Sequence, residues 1–289
     1  MKNILITGCS SGFGYLTAKY LAEKGHTVYA TMRKLAGKNA TPAAELKQFA
    51  KDKNLDLQVI EMDVTLDGSV QKAVAPLDRI DVLINNAGLG YGGPVEAFSS
   101  RQVLEQLDLN IVGTVRVAQA VLPLMRAQQS GLIIQVSSVA GLGAVPGFGV
   151  YHASKWGLEG LSEAMRYELA HLGIDVVLVE PGLFATHFLD NLVTPARPEI
   201  MASYPHIQAF VEGFEAQTRG AYADPQAPTD PMSVVYRFDE LINMAPGSRP
   251  LRNIVGLDLG ITAFHEATEP VRQQFLTAMG LSEWDGPRT

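Results

Sequence analysis

The sequence predicts an α/β fold: a doubly wound parallel sheet of about seven strands with helices on both faces and a helical lid over one edge. Three observations predict it. Short apolar runs alternate with segments of helical period, a glycine-rich turn directly follows the first run, and the alternation breaks only once, over residues 183–231.

The first run, Ile4-Leu5-Ile6, reads as a buried strand over 3–7. It stops at Thr7-Gly8, and a helix is expected over 13–24. Between them Gly8, Gly12 and Gly14 follow G-x-x-x-G-x-G, a spacing that permits a sharp turn and lets a phosphate approach without meeting a Cβ. The helix behind it would point free N–H groups and a positive dipole end at that phosphate. A tight strand-to-helix turn with no ligand fits the same residues. Further strands are expected at 27–31, 57–61, 81–84, 132–136, 175–179 and 252–256, each rich in Ile, Val or Leu as strands covered on both sides should be. Helices are expected at 42–52, 67–76, 101–127, 152–172 and 231–244; in 101–127 Val103, Leu104, Leu107, Ile111, Val115, Ala118 and Leu122 recur at helical spacing.

Residues 183–231 hold six of the chain's sixteen prolines together with Phe184, Phe188, Tyr204, Phe210, Phe214 and Tyr222. Prolines restrict regular structure, while aromatic rings need apolar surface to cover. This segment reads as a lid beside the carboxyl end of a strand; a surface insertion packed on itself is the alternative.

Chemistry is suggested by Tyr151 and Lys155 in YHASK, with Ser138 upstream in VSSVAG. Positions i and i+4 share a helix face, so an ammonium can sit beside the phenol. A free tyrosine titrates near ~10, and lowering it by ~3 units takes about 4 kcal/mol of phenolate stabilisation, part of which a close cation supplies. Alone, YxxxK fits a surface tyrosine and lysine equally well, and the other motifs decide. His152 follows Tyr151, but neighbours on a helix diverge by about a hundred degrees, so it is expected to face elsewhere.

Taken in order, TGCSSGFG at 7–14, NNAG at 85–88, Asn110 in DLNIVGT, Ser138, YHASK at 151–155 and PG at 181–182 resemble the short-chain dehydrogenase/reductase family. TGCSSG, VYATMR, NAGLG, GPVEA and LEGL also look like its branch containing hydroxysteroid and retinol dehydrogenases. The resemblance is dense from residue 3 to about 190 and implies one Rossmann-like, NAD(P)-binding domain over 1–289 with the lid inserted at 183–231. It implies a catalytic set of Asn110, Ser138, Tyr151 and Lys155: Tyr151 gives the proton, Ser138 holds the reacting oxygen, and Lys155 tunes the tyrosine and bonds the nicotinamide ribose. Asn110 would hold a water toward the lysine, although a polar helix-interior residue fits as well.

Cofactor contacts implied by the resemblance are Gly8, Ser10, Ser11, Gly12, Phe13 (where the family usually has isoleucine), Gly14, Arg33, Asp63, Val64, Asn86, Ala87, Gly88, Tyr151, Lys155, Pro181, Gly182 and Thr186. The residues themselves suggest which dinucleotide. No acidic side chain lies between Val28 and Gly37 to take the ribose hydroxyls, and Arg33 and Lys34 stand there instead. In the resembling branch a serine at Ser10 and an arginine at Arg33 meet the adenosine 2′-phosphate, so NADP(H) is expected, with NAD(H) second. A solvated surface arginine also fits, and Asp63 fits a turn cap as well as an adenine contact. The substrate wall is expected at Ser138, Leu142, Phe148, Tyr151, Phe184 and Phe188, apolar enough for a hydrophobic carbonyl or secondary alcohol.

Bulk properties bound the rest. A chain of 289 residues with 47% hydrophobic and 18% charged residues can bury one full core. Its net charge of −7 argues against nucleic acid or an anionic membrane as partner. A single cysteine, Cys9, excludes an internal disulfide and fits a reducing compartment; with no signal segment, a cytoplasmic location is expected. No apolar run is read as long enough to span a bilayer, and the histidines show no metal-ligand spacing. A homodimer or homotetramer paired through 101–127 and 152–172 is expected. The rival readings are a catalytically idle NADP-binding sensor or scaffold, a nucleotide-sugar epimerase or dehydratase, whose T-G-x-x-G-x-x-G spacing is absent, and a pure interaction protein.

Overall fold

The computed structural model describes residues 1–287. Seven strands form one parallel sheet: β1 (Asn3–Ile6), β2 (Thr27–Met32), β3 (Leu57–Glu61), β4 (Val82–Asn85), β5 (Gly131–Val136), β6 (Ile174–Pro181) and β7 (Arg252–Val255), in the order β3-β2-β1-β4-β5-β6-β7. The order reverses between β1 and β4, which opens a crevice at the carboxyl ends of those strands. Successive strand residues face opposite layers. Ile4, Ile6, Ile84, Ile134 and Val177 enter one apolar core, and Leu5, Leu83, Ile133 and Val176 enter the other. The first core is closed by α1 (Gly12–Glu23), α2 (Ala40–Lys53) and α9 (Met232–Asn243), the second by α3 (Asp67–Val74), α5 (Gly113–Gln128) and α6 (Gly149–Ala170).

The helix expected over 101–127 is divided. α4 (Ser100–Leu107), with a Ser99–Gln102 capping box, runs into a π-helical turn at Asp108–Val112 before α5 begins. By length and composition Ser100–Gln128 is apolar enough to cross a membrane, contrary to the expectation of no such run. Its apolar residues Val117, Val121 and Met125 instead pack into the second core.

Three helices fall outside the expected ranges, two of them within the expected helical lid. Inside the lid, α7 (Pro198–Met201) is followed by α8 (Pro205–Ala223), which has proline only at its first position, where a missing N–H costs nothing. The prolines thus bound α8 rather than prevent it. After β7, α10 (Ile261–Ala278) runs to the C-terminal segment; Pro270 inside it reads in sequence as a break, and Phe264, Val271 and Phe275 are exposed while Ile261 and Leu276 are buried.

One buried ionic knot ties this C-terminal part to the sheet. Asp175 at the start of β6 has no exposed surface and receives Arg166 of α6 at 2.8 Å and Arg249 at 3.0 Å. Arg166 also bonds Asp285 at 2.7 Å. Asp175→Ala would leave two buried guanidinium groups without their shared anion and is expected to cost about 3–5 kcal/mol in urea unfolding. A loss below about 1 kcal/mol would show that water or a rearrangement compensates.

Candidate active site

At the switch point the loops after β1, β4, β5 and β6 line a groove of about 940 Å³. Its floor begins at the glycine turn, where Gly8 and Gly12 have φ of +74° and +56°, conformations that favour glycine. α1 then starts with no side-chain cap on Ser11 and no acidic residue in its first turn. Its first N–H groups and positive end are therefore uncompensated at the groove, which suits a dinucleotide phosphate. Ser10, Ser11, Gly12 and Phe13 line this end. Gly14 does not: a Cβ there would lie 2.6 Å from both the Gly8 carbonyl oxygen and Asn86 Nδ2, so its role is close packing behind the turn. That corrects its expected place at the ligand.

Asn86 braces the same turn from β4. Its Nδ2 donates to the carbonyls of Thr7 and Gly8 at 2.8 and 3.2 Å, while the N–H groups of Asn86 and Ala87 bond Thr7 Oγ1. Beyond β2, Arg33 lies in the groove with its side chain 47% exposed, loosely opposed by Asp63 at 3.9 Å. The second basic residue at this end of the groove is Lys38; Lys34 is not among the lining residues and has φ of +54°. Asp63 caps its own turn through Thr65 N and Oγ1 at 3.1 and 2.7 Å and still borders the groove, so both expected roles fit its position. Val64, Ala87, Gly88, Pro181, Gly182 and Thr186 also line it.

Ser138, Tyr151 and Lys155 meet at the other end. The Ser138 hydroxyl accepts from Ala140 N at 3.1 Å and donates to the Pro181 carbonyl at 3.3 Å. Tyr151 is 9% exposed, and burial pushes its phenol up to about 12, against the pull of a hydrogen bond from Ser138. In the resting site the shift is thus upward, opposite to the lowering expected from Lys155. Lys155 Nζ stands 5.9 Å from the phenol ring centre and donates to the Val136 carbonyl at 2.8 Å. Burial also pushes the ammonium down to about 8, offset in part by the Glu159 carboxylate. Helical spacing placed the pair on one face, but desolvation of both groups outweighs their mutual effect.

Asn110 sits inside the π turn, buried, and outside the groove lining. Its Nδ2 bonds Leu89 O at 3.1 Å and Ser154 Oγ at 2.9 Å, and its Oδ1 accepts from Leu89 N. Its side chain positions the loop after β4 and the turn of α6 that carries Lys155. His152 also braces: Nε2 accepts from Val145 N at 3.0 Å, so Nδ1 carries the proton and donates to Ala140 O at 2.9 Å. Both ring nitrogens are engaged, although the ring borders the groove.

Phe148, Phe184 and Phe188 stand on the wall as expected, with Phe188 5.3 Å from the Tyr151 ring and Phe184 5.5 Å from Phe13. Leu142 lies outside the lining; Gly143, Ala144 and Val145 take that place because the short 3₁₀ turn Val139–Gly141 rotates the chain. The lid's first leg is bonded to the loop after β4 through Gly92 N to Val193 O and Val193 N to Gly90 O, both 3.0 Å. From α8, Phe214 packs on Phe148 at 5.6 Å, and Tyr222 joins the wall. From the expected lid, part of 183–193 together with Phe214 and Tyr222 lines the groove. Leu259 and Ile261, from the segment after β7, complete the rim; no local motif marks them, and they were not foreseen.

A family model described as short chain dehydrogenase matches residues 2–196. A 3-ketodihydrosphingosine reductase of Bacteroides thetaiotaomicron is 43% identical over 65% of this chain, and the match spans 66% of that relative, just under two thirds of its length. A 17-beta-hydroxysteroid dehydrogenase type 1 of Mus musculus is 38% identical over 78% of this chain and 68% of its own. A short-chain dehydrogenase structure from Streptomyces avermitilis superposes with a TM-score of 0.72 at 27% identity over 97% of this chain and 98% of that one. A gluconate 5-dehydrogenase from Burkholderia cenocepacia, in complex with NADP and tartrate, gives 0.60 at 30% identity over 65% and 73%.

The state of Lys155 can be measured. Its side-chain carbon resonance should titrate with a midpoint near 8, against ~10.4 for solvated lysines. A midpoint above about 10 would show that the ammonium is not desolvated.

Proposed function

The chain belongs to the short-chain dehydrogenase family, and from that premise we propose that it transfers hydride between NADP(H) and a carbonyl or secondary alcohol on a large apolar substrate. The observation that carries this reading is the convergence of Ser138 and Tyr151 on one end of a groove whose other end is an uncapped helix N-terminus behind a glycine turn.

When bound, the nicotinamide supplies or accepts the hydride. The glycine turn and the start of α1 would hold the pyrophosphate, and Arg33 with Lys38 would face the adenosine end. In the reducing direction Tyr151, whose phenol keeps its proton at neutral pH, donates it to the substrate oxygen as negative charge develops there. Ser138, anchored by Ala140 N, turns its hydroxyl proton from the Pro181 carbonyl to the same oxygen. Lys155 contributes positive charge beside the developing phenolate, which makes loss of the phenol proton easier during the reaction than in the resting site. Because that charge is held near 8, reductive turnover should be level at lower pH and fall as pH rises past about 8.

Support for the cofactor preference comes from the absence of an acidic residue after β2, the half-exposed Arg33, and the NADP in the Burkholderia complex. Support for an apolar substrate comes from Leu89, Val145, Phe148, Phe188 and Phe214 on the wall, and from relatives named for ketosphingoid and steroid substrates. Exposed Leu104, Val112 and Trp156 give the α4–α6 side apolar surface suited to a second copy of the chain.

A carbonyl panel followed at the NADPH absorbance tests the reading. Tyr151→Phe should abolish turnover yet keep NADPH binding within about threefold, and Ser138→Ala should cost on the order of 10²–10³ in kcat. Arg33→Ala should lower kcat/KM for NADPH at least tenfold while sparing NADH. Near-wild-type turnover by Tyr151→Phe would overturn the mechanism, and a wild-type preference for NADH would overturn the cofactor assignment.

A further inference from the structure

Behind Ser138 and Lys155 lies a second polar cluster that hydride transfer does not use. Glu159 follows Lys155 by one helical turn on α6 and is 3% exposed, while Glu180, just before Pro181-Gly182, has no exposed surface. One guanidinium serves both. Arg252 of β7 donates from Nε to Glu159 Oε2 at 2.9 Å, stands 3.8 Å from Glu180 Oε1, and reaches Glu163 Oε2 at 2.6 Å. From α10, His265 Nε2 meets Glu180 Oε2 at 2.6 Å, and the Glu269 carboxylate on the same helix adds negative charge near the ring.

The charges around this pair do not close. Glu159, Glu163 and Glu180 face one arginine; Lys155 is turned to the Val136 carbonyl, and burial holds His265 below its ordinary value. Two ionised carboxylates facing each other out of water repel without screening. Three oxygens are also left over. Glu159 Oε1, Glu180 Oε1 and Ser137 Oγ are buried with no partner at hydrogen-bonding geometry among the described residues, although the Ser137 hydroxyl lies close enough to Glu159 to favour its ionised form. The first and last border one spot, since a Cβ on Gly141 would lie 3.2 Å from Glu159 Oε1 and 2.9 Å from Ser137 Oγ.

We propose that Glu159 and Glu180 share one proton between their unpartnered oxygens, and that this protonated pair is a positioning site that clamps the end of β6 to α6, holding Ser138 and Lys155 in register. The proton satisfies both orphan oxygens and leaves one net negative charge for Arg252. Burial raises both groups from an ordinary 4.5, and their mutual repulsion leaves the pair a single proton at neutral pH. That proton is held above its unfolded value, so the stabilisation it gives is present at low pH and is lost as pH rises past neutrality. The catalytic consequence rests on the function proposed above, whereas the shared proton does not.

The direct test is infrared spectroscopy of the full chain, with thermal unfolding across pH 5.5 to 8.5. Wild type should show the C=O stretch of a buried carboxylic acid at pH 6.5, shifted in D₂O, and Glu180→Gln should lack it. Glu180→Gln, whose amide N–H replaces the proton, should melt near wild type at pH 6 and lose fewer degrees than wild type by pH 8.5. Glu180→Leu, which deletes the anion as well, should melt low throughout. In turnover, Glu180→Gln should recover most of the kcat that Glu180→Leu loses, with KM for NADPH unchanged, and should decline less than wild type above about pH 7. Absence of the acid band in wild type, or a Glu180→Gln melting curve that follows pH as wild type does, would overturn the shared proton. A band present in a protein that turns over no carbonyl would overturn the catalytic role alone.

Discussion

The candidate site depends on one bond: the buried Lys155 ammonium donating to the carbonyl of Val136, the last residue of β5, at 2.8 Å. This contact pins α6 across the carboxyl end of the sheet, so that Tyr151, one turn earlier on the same helix, faces Ser138 on the loop that continues β5. A desolvated ammonium is costly, and the fold supports it with a carbonyl on one side and the Glu159 carboxylate on the other. The phenol is likewise kept in its protonated form by burial. Proton donor and cation are thus both set by how much water the groove wall excludes.

That wall comes from distant parts of the chain. The glycine turn and α1 provide the phosphate-suited end, the lid supplies Phe188 and Phe214, and the segment after β7 supplies the rim. Arg252 of β7 and His265 of α10 reach back to Glu159 and Glu180 behind the reacting groups. The Asp175 knot with Arg166 and Arg249 anchors the C-terminal part to β6. A change in the C-terminal helix can therefore reach the chemistry through β6 without touching substrate.

Much of this architecture is legible in sequence because it is local. Strands such as Ile4-Leu5-Ile6 and Val176-Val177-Leu178 are buried on both faces and read as plain apolar runs. The glycine turn and Tyr151–Lys155 carry their meaning in spacing. Features set by tertiary contact were not legible. α10 exposes Phe264, Val271 and Phe275 and contains Pro270, and α8 gives the expected helical lid bounds that the prolines around it did not reveal. The direction of the Tyr151 shift depends on desolvation, which i,i+4 spacing does not reveal. Lys38 and Ile261 reach the groove through loop geometry, Gly14 and Leu142 turn away from it, and the Glu159–Glu180 contact joins residues on different elements.

The central claim is that Ser138, Tyr151 and Lys155 serve a hydride transfer to carbon. The most direct measurement is the fate of deuterium from NADPH labelled at the nicotinamide C4, with a long-chain or polycyclic ketone as acceptor. The account predicts label on the carbinol carbon, from one cofactor face only, with the hydroxyl proton drawn from solvent. Tight NADPH binding with no label in any product, or label released to water, would contradict it.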